Sequence, residues 1–224
     1  MPDEAWLAKR WKMVETQVRA RGVRDERVLQ AMRSVPRDEF VDASEKPAAY
    51  SDNPLPIGYG QTISQPYIVA FMTELLRLEA SDRVLEVGTG SGYQTAVLAE
   101  IASEVYTLEI VPELHTQAKR RLGELGYRNI FTRPGDGTKG WPEAAPFDKM
   151  ILTAAGMKIP TLLVRQLKEN GRIVMPVGER EQVLVVGEKR NNALITQESI
   201  PVRFVPLVEE GSQDSARGKT SQSL

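Results

Sequence analysis

The sequence predicts an α/β fold: a mostly parallel, doubly wound sheet with an antiparallel edge, preceded by an N-terminal helical extension. Three observations carry this reading. After residue 82, short apolar runs rich in Val, Leu and Ile alternate with segments of helical periodicity, the pattern of a parallel sheet covered on both faces. A glycine-rich turn follows the first of these strands. The last third keeps strand-like runs but has no convincing helix between them, as expected of antiparallel pairing at one edge.

The elements follow in order. In residues 1–50, Trp6, Leu7, Trp11, Val14 and Val18 recur at helical spacing, as do Val28, Leu29, Met32 and Val35, and Pro36 stops the second helix. Residues 51–64 contain two prolines and two glycines and read as a structured loop, a place where function often sits. Ser64 is the expected N-cap of the next helix, with Pro66 in its first turn and Ile68, Val69, Phe71, Met72, Leu75 and Leu76 on its apolar face. Strands are expected at Arg83–Val87, Val105–Leu108, Ile130–Arg133, Lys149–Leu152 and Arg172–Pro176, with helices at Tyr93–Ala102, Pro112–Leu125 and Ile159–Leu167. Val183–Gly187 and Ile200–Val205 supply the antiparallel edge. The reading is one domain over residues 1–210: an extension to 50, a loop and helix over 51–82, and a core over 83–208. A polar tail is expected at 209–224.

Composition narrows the chemistry. The 224 residues are 41% hydrophobic, enough for a sizeable core. There are no cysteines and a single histidine, His115. A disulfide framework, a thiolate nucleophile and a cysteine zinc site are excluded, and no metal is expected. The 29 basic and 30 acidic residues balance, which disfavours nucleic acid and a membrane surface as partners. The N-terminus is charged from residue 3 and does not read as a signal peptide, and no apolar run approaches the ~18 residues of a membrane span. A cytoplasmic monomer is the expectation.

The turn after the first strand is Gly88-Thr89-Gly90-Ser91-Gly92, with Glu86 just before it. Glycines allow a tight bend and close approach of a ligand to the backbone. A dinucleotide turn runs G-x-G-x-x-G. Here the third glycine comes one residue early, and Tyr93 holds the dinucleotide position. A carboxylate near a pyrophosphate would repel it, whereas a cofactor carrying an ammonium and a sulfonium would welcome it. S-adenosyl-L-methionine carries both, so the expected class is a Rossmann-like, class I S-adenosylmethionine-dependent methyltransferase, with S-adenosyl-L-homocysteine as product. Glu86 lies in a strand covered on both faces, where an unpaired carboxylate is costly, and is expected to serve the cofactor. Glu109 ends the second strand, about 20 residues after the turn, and is expected to accept from the ribose hydroxyls. Gly135-Asp136-Gly137 follows the third strand, and Asp136 is expected to accept from the adenine amine, with Gly137 beside it.

Further motifs narrow the class. Met13-Val-Glu-Thr-Gln-Val-Arg, Val35-Pro-Arg-Asp-Glu-Phe-Val, the segment from Tyr50 to Tyr67, Phe147-Asp-Lys-Met-Ile-Leu-Thr-Ala-Ala, Leu167–Gly178 and Val202–Leu207 resemble the protein-L-isoaspartate O-methyltransferase family along nearly the whole chain. The Gly60-Gln-Thr-Ile-Ser-Gln-Pro stretch is the most specific part. The resemblance implies methyl transfer to the free α-carboxyl of L-isoaspartyl residues in damaged proteins and peptides, initiating repair through a succinimide. It also implies an active-site serine at Ser64 and cofactor contacts around Thr62, Ile63, Glu109 and Asp136. Thr62, Ser64 and the helix start after them suit an anion, so they are expected to orient the substrate carboxylate, Ser64 as a positioning group and not a nucleophile. Residues 51–64 and 201–207 are expected to receive an extended peptide. One departure is Gly156, where the family commonly has proline, a change expected to loosen that loop. The alternatives are a methyltransferase acting on a metabolite or RNA, and a cofactor-binding adaptor without turnover.

Overall fold

The computed structural model describes residues 4–208, so the expected polar tail at 209–224 lies outside the described residues. Helix α1 (Glu4–Met13) runs into a π-helical turn at Val14–Val18 and a 3₁₀ turn at Arg19–Arg21, and Gly22 ends the run with φ 105°. Helix α2 (Glu26–Ser34) starts at Asp25, whose carboxylate accepts from the Arg27 N–H. Arg10 donates from α1 to the Ser34 carbonyl at 2.7 Å and so closes the far end of α2. Val14, Val18, Leu29 and Met32 join Tyr93, Leu114 and Leu122 in one buried cluster, so the extension packs on the α/β core.

Residues 51–64 contain a small antiparallel hairpin, β1 (Leu55–Pro56) with β2 (Thr62–Ile63). Helix α3 (Pro66–Leu76) follows. Its N-cap is Gln65, not Ser64, and the cap makes no side-chain bond. The physical reason is local: Ile63 still belongs to β2, and Pro66 opens the helix, so Ser64 falls in the link between them.

The main sheet comprises β3 (Arg83–Val87), β4 (Glu104–Glu109), β5 (Ile130–Pro134), β6 (Phe147–Leu152), β7 (Leu167–Val177), β8 (Gln182–Arg190) and β9 (Ala193–Val202), with α4 (Tyr93–Ala99), α5 (Pro112–Glu124) and α6 (Thr161–Gln166) between strands. The order is β5-β4-β3-β6-β7-β8-β9. The first five strands pair in parallel, and β8 and β9 are antiparallel, as the sequence predicts. Side chains alternate along β3: Val84 joins one buried cluster, Leu85 and Val87 the other.

Several boundaries differ from expectation. Helix α4 stops at Ala99. Strand β7 begins at Leu167, the last residue of the expected helix. Strand β9 begins at Ala193, seven residues before the expected strand, because its Thr196–Ser199 stretch is polar and lies on the exposed sheet edge, where no apolar alternation is needed. Among the described residues, no helix is long and apolar enough to cross a membrane.

The strand order reverses between β3 and β6. Ligands of open α/β sheets bind beyond the carboxyl ends of the strands at that switch point.

Candidate active site

A cleft lies at the switch point, enclosing about 970 Å³ of space that includes open solvent. The turn after β3 forms its floor. Gly88 and Thr89 both donate N–H to the Leu108 carbonyl, at 2.8 and 3.2 Å, and Gly92 donates to the Thr89 carbonyl at 2.8 Å. Gly88 has φ 97°, and a Cβ there would stand 2.3 Å from Thr153 Oγ1. Gly137 faces a similar limit, because a Cβ would stand 2.2 Å from Val87 Cγ1. Gly92 serves packing: its Cβ would meet Leu122 on α5 at 3.3 Å. Gly90 is the open position of the turn, with only Ile57 of the hairpin nearby at 3.4 Å. The hairpin therefore stands over the turn and forms the opposite wall.

Of the twelve residues singled out in the sequence, Thr62, Ile63, Ser64, Gly88, Thr89, Gly90, Ser91, Glu109 and Gly137 line this one cleft. Glu109 ends β4, where Oε2 accepts from the Gly90 N–H at 2.7 Å and Oε1 from the Val111 N–H at 3.0 Å. Each oxygen retains a lone pair, so the carboxylate fixes the turn and can still accept from a ligand. Among the described residues, the hydroxyls of Thr62 and Ser64 make no hydrogen bond to the protein. Two hydroxyls at a cleft wall are thus left to a ligand.

Gly92, Glu86 and Asp136 do not reach the cleft wall. Strand alternation puts Glu86 on the Val84 side, under α4, where it is fully buried. One oxygen accepts from Thr95 Oγ1 at 2.5 Å and Thr107 Oγ1 at 2.6 Å, and the other has no partner. Burial pushes its carboxyl up to about 8, against the pull of Thr107 and Thr95 and with a smaller push from Glu109. A hydroxyl chain links Glu86 to the turn: Thr107 Oγ1 is also 2.6 Å from Thr89 Oγ1. Asp136 folds back as an N-cap. Its Oδ1 accepts from the Thr138 N–H at 2.9 Å and hydroxyl at 2.7 Å, so Gly137, not Asp136, faces the cleft.

Sequence reasoning missed several wall residues. Thr153 directly follows β6 and donates to the Gly88 carbonyl at 2.7 Å. Its signal is positional, since β6 neighbours β3 and ends at the same sheet edge. Val208 was missed as well, whereas Val205–Leu207 fall in the segment expected to receive a peptide; all four line the cleft, because Ala155 bridges Pro206 through bonds of 2.8 and 2.7 Å to Val205 and Leu207. Nothing local in the sequence announces that bridge. Gly156 is hydrogen-bonded on both sides of its residue. Its N–H donates to the Pro176 carbonyl at 3.3 Å, and its carbonyl accepts from Gly178 at 3.0 Å. His115 lies on α5 beside Thr132 Oγ1 at 3.1 Å, and is not part of the wall.

The strand order reverses at a glycine turn that a strand-end carboxylate grips, the third glycine comes too early for a dinucleotide, and the sheet ends in an antiparallel edge; together these place the fold among the class I S-adenosylmethionine-dependent methyltransferases. The fit is physical: Gly90 leaves the cleft side of the turn open, and Glu109 keeps acceptor capacity for hydroxyls. Within that class, the family model of protein-L-isoaspartate(D-aspartate) O-methyltransferase matches residues 8–212, and the chain belongs to this family. A Gloeobacter violaceus protein-L-isoaspartate O-methyltransferase is 52% identical over 204 residues, covering 90% of this chain and all of that one. The protein of that name from Opitutus terrae is 53% identical over 210 residues, with 93% and 90% covered. A Plasmodium falciparum family member, solved in complex with S-adenosyl-L-homocysteine, superposes with a TM-score of 0.79 at 26% identity, covering 90% of this chain and 99% of that one.

Proposed function

We propose that this chain methylates the free α-carboxyl group of L-isoaspartyl residues in proteins and peptides, with S-adenosyl-L-methionine as donor. The observation that carries the reading is the facing of two unpartnered hydroxyls, Thr62 and Ser64, against the glycine turn across one cleft. The glycine turn, Glu109 and Gly137 hold the cofactor, and Glu86 acts on it through Thr107 and Thr89. The bound cofactor supplies an electrophilic methyl group on sulfonium.

The protein's own task is then modest. A carboxyl group with a reference pKa of roughly 3–4 is already anionic at neutral pH and needs no general base. Ser64 and Thr62 donate hydrogen bonds to that carboxylate and aim one oxygen across the cleft. Orientation of this kind reduces the barrier by removing unproductive arrangements and displacing water. The esterified residue closes to a succinimide, whose hydrolysis returns some ordinary aspartate. Damaged proteins and peptides are the partners, and a cytoplasmic monomer of one domain is the working assembly.

Labelled methyl transfer tests the reading. A synthetic isoaspartyl peptide takes up base-labile label, and its ordinary aspartyl isomer does not. Label on neither peptide, with cofactor bound, contradicts the activity, and equal label on both contradicts the specificity.

A further inference from the structure

The cleft does not end at Ser64. Thr62, Ser64, Thr153 and Val205 also border a second space, a groove between the start of α3 and the chain that follows β9. Its outer part is bounded by Arg21, Gln65, Tyr67, Ile200, Arg203 and Phe204. Among the described residues, no carboxylate lines this groove, but two guanidinium groups do.

The two cations are not equivalent. Arg21 is committed, donating to Asp52 Oδ2 at 2.6 Å and lying 3.6 Å over the Tyr67 ring. Arg203 is exposed and, among the described residues, makes no hydrogen bond, ion pair or ring contact. Its backbone surroundings are nonetheless fixed. The Gln182 side-chain amide accepts from the Phe204 N–H at 2.6 Å and donates to the Phe204 carbonyl at 3.1 Å. Ala155 then holds the Val205 carbonyl at 2.8 Å. A pinned backbone thus carries an uncommitted cation at the rim of a groove that leads to Ser64.

We infer that Arg203 is a specificity-determining residue, which favours isoaspartyl sites flanked by acidic side chains over sites flanked by lysine or arginine. The inference rests on the reading that this groove receives the peptide around the isoaspartyl residue. Adjacent residues of an extended peptide lie about 3.3 Å apart, and the field of an exposed charge persists over about 8–10 Å at moderate salt. Arg203 therefore reaches side chains on either side of the reacting residue. A guanidinium also grips a carboxylate in a two-pronged geometry and repels another cation.

The test uses two isoaspartyl peptides that differ only in carrying Glu or Lys at both flanking positions, with kcat/KM measured for wild type, Arg203→Gln and Arg203→Glu. The wild type prefers the Glu peptide by about three- to tenfold at low salt, and the preference shrinks as salt is added. Arg203→Gln levels the two peptides, and Arg203→Glu inverts their order. The same ranking in all three enzymes overturns the inference and leaves the isoaspartyl activity standing. Methylation of neither peptide by the wild type, with cofactor bound, overturns the isoaspartyl reading and this inference with it.

Discussion

The Thr107 hydroxyl donates to Glu86 Oε2 at 2.6 Å, beneath the glycine turn and away from the cleft. A hydroxyl has one proton to give. With that proton on Glu86, Thr89 must donate to Thr107, which leaves the Thr89 oxygen with acceptor capacity only. The Glu86 carboxyl thereby sets the polarity of a hydroxyl in the glycine turn. Burial keeps that carboxyl protonated up to about pH 8, so Glu86 brings no charge into the most buried strand of the sheet at neutral pH.

The burial of Glu86 sets a pH dependence of stability. Its folded-state carboxyl is raised from 4.5 to about 8 by desolvation. The folded protein therefore holds a proton that the unfolded chain releases between those values, and stability falls as pH rises through that window. The slope from this group approaches about 1.4 kcal/mol per pH unit. Glu86→Gln removes it. Denaturant unfolding from pH 5 to 8.5 is expected to show a steeper decline for the wild type than for the variant, and parallel curves contradict the assignment.

Gly88 and Gly90 differ although both have positive φ. At Gly88 a Cβ meets Thr153 Oγ1 at 2.3 Å, and Thr153 is held there by its bond to the Gly88 carbonyl. At Gly90 the nearest atom is the flexible end of Ile57, at 3.4 Å. Gly88→Ala is expected to cost more than about 2 kcal/mol and weaken cofactor binding at least about tenfold. Gly90→Ala is expected to cost about 1 kcal/mol, the left-handed penalty alone. Thermal unfolding and calorimetric titration with S-adenosyl-L-homocysteine measure both, and equal losses for the two variants refute the distinction.

How much of this was legible in the sequence depended on whether the signal was local. The glycine turn and Glu109 stand at fixed distances from a strand, and both lie where the spacing predicts. Ser64 was readable as a site residue only through the resemblance of its segment to a family, while its expected capping role yields to Gln65 because β2 extends to Ile63. Glu86 and Asp136 carry chemistry-bearing side chains at the right sequence positions but turn them elsewhere: strand alternation sends one under α4, and a 3₁₀ turn uses the other as its cap. The wall at Val205–Val208 depends on a bridge between residues about fifty positions apart, and no periodicity encodes such a contact.

Gly156 gives a prediction set by one hydrogen bond. Its N–H donates to the Pro176 carbonyl at 3.3 Å, and proline there removes the donor and places a ring carbon against that oxygen. Where the replaced N–H was bonded, the loss exceeds the gain of about 0.4–1 kcal/mol from a restricted unfolded chain. Gly156→Pro is expected to lower stability by more than about 1 kcal/mol, measured by urea unfolding. An unchanged midpoint shows that the loop does not depend on this N–H.

The most direct test of the account is the single-turnover rate of methyl transfer by Ser64→Ala to an isoaspartyl peptide, with cofactor affinity measured on the same protein. Ser64 lines the cleft, has no side-chain hydrogen-bond partner among the described residues and caps no helix, so its removal is expected to leave the fold intact. The expected result is a rate at least about tenfold below wild type, one lost orienting hydrogen bond, with cofactor affinity within about threefold. A rate within a fewfold of wild type contradicts the claim that this hydroxyl orients the carboxylate.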